Sequence, residues 1–140
     1  MRKFDTPTPI PAAPDIPAGR IRFIAADRAD TLVEVLPADP SGNRDTGTAE
    51  RTTAAYADGV LRIHTPEPDS RLFGSSGALE VTVRLPAGSR IEAKAAGADL
   101  RGVGRLGDIA FEGAYRHTRI DEAASVRLTA IDGGITARSL

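Results

Sequence analysis

The clearest strand pattern in the chain is Leu79-Glu80-Val81-Thr82-Val83-Arg84-Leu85. Its apolar side chains occupy every second position, and polar side chains occupy the positions between them. A period of two is the pattern of a β-strand with one buried and one solvated face. From Arg20 onward other short runs have the same period, and no window of helical length has a good amphipathic stripe. The sequence therefore predicts an all-β protein with little helix.

One hairpin can be placed in register from its turn residues. Asp58-Gly59 is typical of a two-residue type I′ turn, in which both central residues have positive φ. The predicted pairs are Ala57 with Val60, Tyr56 with Leu61, Ala55 with Arg62 and Ala54 with Ile63. This register places the larger apolar side chains on one face, so the turn and the hydrophobic pattern agree.

Proline and loop-forming residues interrupt the strands. Half of the prolines lie in the stretch from Pro7 to Pro17. Because proline lacks a ladder donor, residues 1–18 are predicted to be extended and at most an edge strand. Two polar stretches, 37–48 and 66–77, are predicted to be long loops.

The last third of the chain has a different pattern. Its apolar positions recur at Ile91, Leu100, Ile109, Ile120 and Leu128. Glycine and alanine residues separate them, which predicts short, evenly spaced strands stacked as β-solenoid coils of about 20 residues each. The expected organisation is one domain over 1–140. It comprises an extended N-terminus (1–18), a layer of antiparallel strands (19–88) and a short β-solenoid (89–140).

Composition limits the function. The chain has 140 residues, a formal net charge of −1 and no cysteine. The small net charge argues against a nucleic-acid or anionic-membrane partner. Without cysteine, disulfides and thiolate metal sites are excluded. There is no apolar run of membrane-spanning length, and prolines follow the basic N-terminus where a signal peptide needs apolar residues, so a cytoplasmic location is expected.

Several phrases resemble one bacterial family. They are Lys3-Phe4-Asp5-Thr6-Pro7, Asp15-Ile16-Pro17-Ala18-Gly19, Leu79 to Val83, Leu85-Pro86-Ala87-Gly88-Ser89, Gly102 to Asp108 and Gly134 to Ser139. Together they resemble the DUF4097 family of β-strand-repeat proteins, in its actinobacterial branch. The resemblance implies a β-solenoid-like fold and no defined activity, and some secreted members are described as adhesin-like. Family members tend to be longer, with more coils.

Candidate catalytic motifs are weak. Residues 102–107 match the string G-x-G-x-x-G, but another strand follows them instead of the helix that a dinucleotide site requires, so glycine corners are expected. Acidic residues along the repeat could serve a polysaccharide-cleaving β-helix, although turn capping and solvated charge are the expected roles. They are Asp99, Asp108, Asp121 and Glu122. No cofactor or metal is expected.

The two histidines differ in their surroundings. His64 is predicted to lie on the outer face of the hairpin. His117 belongs to a small basic and aromatic segment, in which Tyr115, Arg116, His117 and Arg119 are the candidate binding patch. The leading hypothesis is a non-enzymatic binding or scaffold module with an unidentified protein partner. The alternatives are a self-assembling protein, forming a homodimer through a strand edge or a solenoid end, and a polysaccharide-acting enzyme.

Overall fold

The computed structural model describes residues 2–66, 77–129 and 134–139; the side chains of residues 96, 114–116, 128 and 134–139 lie outside the described part. Its elements are β1 (Arg2–Asp5), β2 (Pro11–Ala26), β3 (Asp30–Pro37), α1 (Asn43–Arg51), β4 (Thr53–Ala57), β5 (Val60–His64), β6 (Leu79–Pro86), β7 (Arg90–Thr129) and β8 (Gly134–Ser139). All eight strands belong to one mixed sheet. The prediction of an all-β protein is confirmed, with one helix added. The predicted loop 66–77 lies almost entirely outside the described residues.

The hairpin is confirmed in every predicted pair. Strands β4 and β5 are antiparallel with Ala57 opposite Val60 and Tyr56 opposite Leu61. Asp58 has φ 53° and Gly59 has φ 76°, the positive values that a type I′ turn requires. The alternation in β6 is also confirmed, because its valine side chains are buried and its arginine side chain is exposed.

Strand β2 lies at the centre of the sheet and runs parallel to three neighbours. Its first half pairs with β5 and its second half pairs with β6. On its other side, both halves pair with β7. The prediction of purely antiparallel strands over 19–88 is therefore wrong, since only the pairs β1–β3, β3–β6 and β4–β5 are antiparallel. Strand β2 also crosses the expected boundary at residue 18.

The expectation that the proline-rich segment is at most an edge strand is also wrong. Pro11, Pro14 and Pro17 lie inside β2, which has neighbours on both sides. Proline cannot donate to a ladder, but the ladder is interrupted at two of these sites. Pairing between β2 and β7 omits positions 13, 14 and 17, so no backbone donor is needed toward β7 at Pro14 or Pro17.

Strand β7 is too long to be straight. Its 40 residues would extend for roughly 130 Å if they were straight. Instead the chain returns beside its own start, where Gly107 N donates to Ser89 O at 2.8 Å and Gly88 N donates to Arg105 O at 2.9 Å. Its residues 117–122 then pair in parallel with β8. Successive parts of β7 are therefore neighbours in the sheet.

The core is one continuous cluster formed by these strands. The largest fully buried side chains are Phe23, Phe111, Ile21, Leu61, Ile63, Leu79, Leu85, Ile91, Ile109, Ile120 and Val33. Four of the five apolar positions predicted for the C-terminal part, Ile91, Leu100, Ile109 and Ile120, are buried; the side chain of Leu128 lies outside the described residues. Ser89 joins the segment before β2 to the turn between β6 and β7, since its Oγ accepts from Ile10 N and donates to Pro86 O.

Helix α1 corrects the predicted loop 37–48. A nine-residue helix is marginal by itself, and Gly42 at its N-cap provides no side-chain hydrogen bond. Tertiary contacts stabilise it instead: Asp45 Oδ1 accepts from Ala78 N and Thr48 Oγ1 accepts from Gly77 N, both at 2.8 Å. No helix in the described ranges is long and apolar enough to cross a bilayer.

A charged contact at the start of β3 makes stability depend on pH. Arg28 Nε donates to Asp30 Oδ1 at 2.5 Å, and Lys3 Nζ lies 3.8 Å from Asp30 Oδ2. The hydrogen bond from Arg28, with the positive charges of Arg28 and Lys3, lowers the pKa of Asp30. The folded state therefore gains stability from this carboxylate above its unfolded pKa, about 3.9, and loses it as the pH falls through the lower folded pKa.

We expect Asp30→Asn to lower the urea midpoint at about pH 7 and to have a much smaller effect at about pH 3. Asp27→Asn is the matched control, because the Asp27 side chain is exposed in the same turn. An equal loss at both pH values for Asp30→Asn would contradict the role of its charge.

Candidate functional site

An open groove of about 330 Å³ crosses three adjacent strands. Its sides are formed by β6, by the second half of β2 and by two successive parts of β7. Apolar side chains such as Ile21 and Leu100 point into the core between the lining residues, because side chains alternate along a strand. The residues that face the groove are therefore polar and form two rows across the strands.

The first of these, the arginine row, consists of Arg22, Arg101 and Arg119. Arg22 is directly paired with Arg101 in the parallel register of β2 and β7. Arg119 lies beside Arg101. The residues that follow them show this, because the Ile120 side chain is 3.6 Å from where a Cβ on Gly102 would stand. All three side chains are exposed. Adjacent strands are ~4.8 Å apart, so the row spans about 10 Å.

The second row, the mixed row, consists of Glu80, Arg20, Asp99 and His117. Arg20 pairs in register with Glu80 on one side and with Asp99 on the other. Its Nη1 lies 3.7 Å from Glu80 Oε1. Asp99 Oδ1 is buried and has no hydrogen-bond partner among the described residues. The mixed row thus supplies two carboxylates beside the three arginines.

A second groove, of about 520 Å³, has a different charge arrangement. It lies over the first half of β2. Basic and acidic side chains alternate across the strands there, in the order His64, Asp15, Lys94 and Glu112. His64 Nδ1 is 3.6 Å from Asp15 Oδ2, and Lys94 Nζ is 3.8 Å from Glu112 Oε2. Opposite charges therefore face each other on this surface, whereas like charges do so in the arginine row.

The arginine row is an unusual arrangement in terms of stability. Like charges directly opposite each other on neighbouring strands are destabilising. Within the part of the chain that the structure describes, Arg101 and Arg119 have no hydrogen bond or ion pair, and Arg22 has only a 3.4 Å contact from Nη2 to Thr82 Oγ1. These three guanidinium groups can therefore bind carboxylate or phosphate oxygens.

The groove contains half of the predicted binding patch. His117 and Arg119 line it. Tyr115 and Arg116 belong to β7, but their side chains lie outside the described residues. His64 is exposed, which confirms its predicted position on the outer face of the hairpin.

Sequence reasoning missed Arg20, Arg22 and Arg101. Their neighbourhood depends on the long-range pairing of β2 with β7, which no local pattern specifies. A signal was nevertheless present in three similar triplets, each with a polar residue, a core-facing residue and an arginine. They are Arg20-Ile21-Arg22, Asp99-Leu100-Arg101 and His117-Thr118-Arg119.

Two of the four acidic candidates, Asp108 and Asp121, accept hydrogen bonds from elsewhere in β7. The G-x-G-x-x-G string, 102–107, lies inside β7, and more strand follows it, as the sequence predicts. Asp121 Oδ2 accepts from Gly104 N at 3.3 Å, and Asp108 Oδ1 accepts from Ser125 Oγ at 2.9 Å. Within the described ranges no group of three or more acidic or histidine side chains could hold a metal ion.

Comparison with known proteins shows likeness in fold only. No family model matches the chain, so the resemblance to DUF4097 is not confirmed, and no curated protein matches either. A "putative cell adhesion protein" from Clostridium sporogenes has a solved structure with a TM-score of 0.53 and 9% identity, covering 99% of both chains. Two "putative adhesin" structures, from Parabacteroides merdae and Parabacteroides distasonis, have TM-scores of 0.37 and 0.34. They are 6% and 10% identical and cover 99% of this chain and 93% of theirs.

Proposed function

We propose that the protein is a non-enzymatic, adhesin-like binding module that holds an anionic partner in the groove. The observation that supports this most is the arginine row, with three exposed guanidinium groups on β2 and on two successive parts of β7, and a cost in like-charge repulsion. In the second groove, on the same sheet, side chains of opposite charge are neighbours. The strands therefore do not by themselves require three arginines to lie side by side. The likeness of fold to a "putative cell adhesion protein" agrees with a binding role.

We also propose that β2, β7 and β8 form the coils of a short β-solenoid within a single domain. Support comes from their parallel pairing at a constant offset, since every pair from Pro11 with Arg90 to Ile24 with Val103 has the same sequence separation. The return of Gly107 to Ser89 adds a further contact between successive passes of the chain. A stack of this kind would present equivalent positions of successive coils in straight rows, which is the geometry that the arginine row needs.

We expect replacement of the arginine row to abolish anion binding without loss of fold. The variant is Arg22→Gln with Arg101→Gln and Arg119→Gln. Immobilised protein is titrated with three anionic polymers (polygalacturonate, poly-L-glutamate and polyphosphate) and with neutral dextran. The wild type should bind at least one anionic polymer, and the variant should bind it at least about tenfold more weakly, because charge-assisted hydrogen bonds are lost.

The matched control removes the same number of positive charges from the second groove, as Arg62→Gln with Lys94→Gln and Arg127→Gln. This variant has the same formal net charge, so it should retain affinity if the site is the arginine row. Equal loss in both variants would assign the binding to net charge, and no binding by the wild type would contradict the proposed function. Circular dichroism and thermal unfolding check that each variant is folded.

Self-association through a strand edge is a second candidate. The two ends of the sheet order are β1 and β4. Strand β1 (Arg2-Lys3-Phe4-Asp5) is charged, whereas β4 (Thr53-Ala54-Ala55-Tyr56-Ala57) contains neither charge nor proline, the features that normally protect an edge. We propose that two copies pair antiparallel through β4, which is an isologous contact.

This dimer predicts a concentration-dependent mass. We expect light scattering to show twice the monomer mass at high concentration, and Ala54→Pro to restore the monomer. In an antiparallel hairpin, hydrogen-bonded and non-hydrogen-bonded residue pairs alternate, starting with a hydrogen-bonded pair at a two-residue turn. The pair Ala55–Arg62 is therefore hydrogen-bonded and the pair Ala54–Ile63 is not. The backbone N–H of Ala54 consequently points away from β5, toward the open edge. Proline at position 54 therefore removes an edge donor and no donor of the hairpin.

The control for this variant is Lys3→Pro, on β1 at the other end of the sheet order, where the neighbouring Phe4 ring lies 6.2 Å from the Tyr56 ring of β4. Thr6 N donates to Ala29 O, so by the same alternation the N–H of Lys3 points away from β3. Lys3→Pro should leave the dimer intact. A wild type that stays monomeric over the whole series contradicts the dimer.

The cytoplasmic location stays a prediction, and fractionation of host cells measures it.

A further inference from the structure

We infer that two copies of the chain associate face to face through the second groove. This inference goes beyond the proposed function, because the second groove lies over the first half of β2 and the arginine row lies over the second half. It also concerns a surface other than the β4 edge. Two alternations across the same four strand segments support it, one of charge and one of side-chain size.

Charge alternates in a row of exposed side chains, which we call the alternating row. Asp15 pairs in register with His64 of β5 on one side and with Lys94 of β7 on the other. Lys94 Nζ in turn lies 3.8 Å from Glu112 Oε2, on the next part of β7. All four side chains are exposed. The order across the sheet is therefore basic, acidic, basic, acidic.

Side-chain size alternates in a second row, two residues earlier on each of the four segments. We call it the alanine row, and its order is Arg62, Ala13, Glu92 and Ala110. Ala13 pairs with Arg62, and the constant offset between β2 and β7 places Glu92 on its other side. Arg62 and Glu92 are exposed, whereas the two alanines are half-buried and leave depressions beside them. These depressions form part of the groove of about 520 Å³.

A two-fold axis that is parallel to the strands and midway between Asp15 and Lys94 makes this face complementary to itself. Rotation about the axis reverses the order of the four segments and keeps each residue at its level along the strands. Asp15 then faces Lys94 of the second copy, a contact that is made twice, and His64 faces Glu112 of the second copy. Every contact in the alternating row joins an acidic side chain to a basic one.

The same rotation fits the alanine row by shape. Arg62 faces Ala110 of the second copy, and Glu92 faces Ala13 of the second copy, so each long side chain enters a depression. The depression over Ala110 is bordered by Glu92 on the neighbouring segment and by Glu112 on its own strand. The guanidinium group of Arg62 therefore meets carboxylates to which it can donate hydrogen bonds.

The arginine row shows that self-complementarity is not a general property of these strands. There the same kind of rotation would place arginine against arginine, and like charges in contact oppose association. The face that carries the alternating row is thus the one suited to a second copy. The arginine row stays outside this dimer interface.

The size of the face sets the expected strength of the dimer. The four segments and the third part of β7, which also lines the groove, span roughly 24 Å across the strands. Five residues along each strand span roughly 17 Å. The footprint is about 400 Å² per copy, at the lower end for a specific interface, so we expect a transient dimer with a Kd of about 100 μM.

Sedimentation velocity of the full chain at concentrations up to about 1 mM measures this dimer. Asp15→Lys and Lys94→Asp should each weaken it at least about tenfold, because like charges then face each other twice. An equal mixture of the two variants should associate as the wild type does, since each supplies the charge that the other has lost. The double variant, Asp15→Lys with Lys94→Asp, should also dimerise. Because its net charge is that of the wild type, bulk attraction does not account for its recovery.

Two further variants test position and shape. Arg84→Asp changes the charge as much as Lys94→Asp does, but on an exposed side chain of β6 outside the groove, so it should leave the dimer intact. Ala110→Arg fills the depression that receives Arg62, so it should weaken the dimer at least about tenfold. Circular dichroism checks that each variant is folded.

Three results would overturn the inference. They are a wild type that stays monomeric at about 1 mM, a mixture of the two charge-reversal variants that does not associate, and a dimer that survives both reversals. If such a surviving dimer is lost in Ala54→Pro, it belongs to the β4 edge. Anion binding by the arginine row has its own test, and none of these results changes it.

Discussion

Gly19→Ala is expected to lower the free energy of unfolding by more than about 3 kcal/mol. Gly19 has φ +127°, a conformation that L side chains rarely adopt. A Cβ there would overlap the carbonyl oxygen of Leu79, which is backbone of the paired strand β6 and cannot move aside. The new methyl group therefore forces β2 and β6 apart at the point where their pairing begins.

Two other glycines separate the contributions of φ and of crowding. Gly59 also has positive φ, +76°, but a Cβ there meets nothing within 4 Å, so Gly59→Ala should cost only about 1 kcal/mol. Gly97 has neither positive φ nor a neighbour within 4 Å, so Gly97→Ala should be close to neutral. Urea unfolding measures all three. A Gly19 variant no less stable than the Gly59 variant would contradict the close approach to Leu79.

Phe23→Ala and Phe111→Ala are each expected to cost about 3–5 kcal/mol, the usual range for removing a buried aromatic ring. Phe23 is 0% exposed in β2, and Phe111 is 1% exposed in β7. Both belong to one core cluster. Because the cluster is continuous, each variant should unfold in a single transition. Tyrosine fluorescence and far-ultraviolet circular dichroism should then change together, since the chain has tyrosine and no tryptophan.

The control for these two variants is Leu36→Ala. Leu36 is a large apolar residue, but it is 45% exposed at the end of β3, so its loss should cost less than about 0.5 kcal/mol. Two separate transitions in the Phe111 variant would contradict the single domain, because the C-terminal strands would then unfold independently. A loss equal to that of Leu36→Ala would contradict the burial of either ring.

The strand pattern of residues 79–85 and the turn at Asp58-Gly59 depend on short-range physics, and both are confirmed. The alternation of residues 79–85 specifies one buried face whatever the neighbouring strand is. Asp58-Gly59 specifies its own register, because a two-residue turn leaves only one way to pair the flanking residues. Neither prediction needed knowledge of distant parts of the chain.

Local patterns were thus sufficient for the all-β class, the hairpin and the apolar positions of the core. Long-range contacts were needed for the parallel pairing of β2 with β7, the proline-containing central strand and helix α1. The arginine row also depends on them, because Arg22 and Arg101 are far apart in the chain and become neighbours only through strand register. Periodicity specifies which face of a strand is buried, whereas partner and register depend on contacts between distant segments, which a local pattern does not encode.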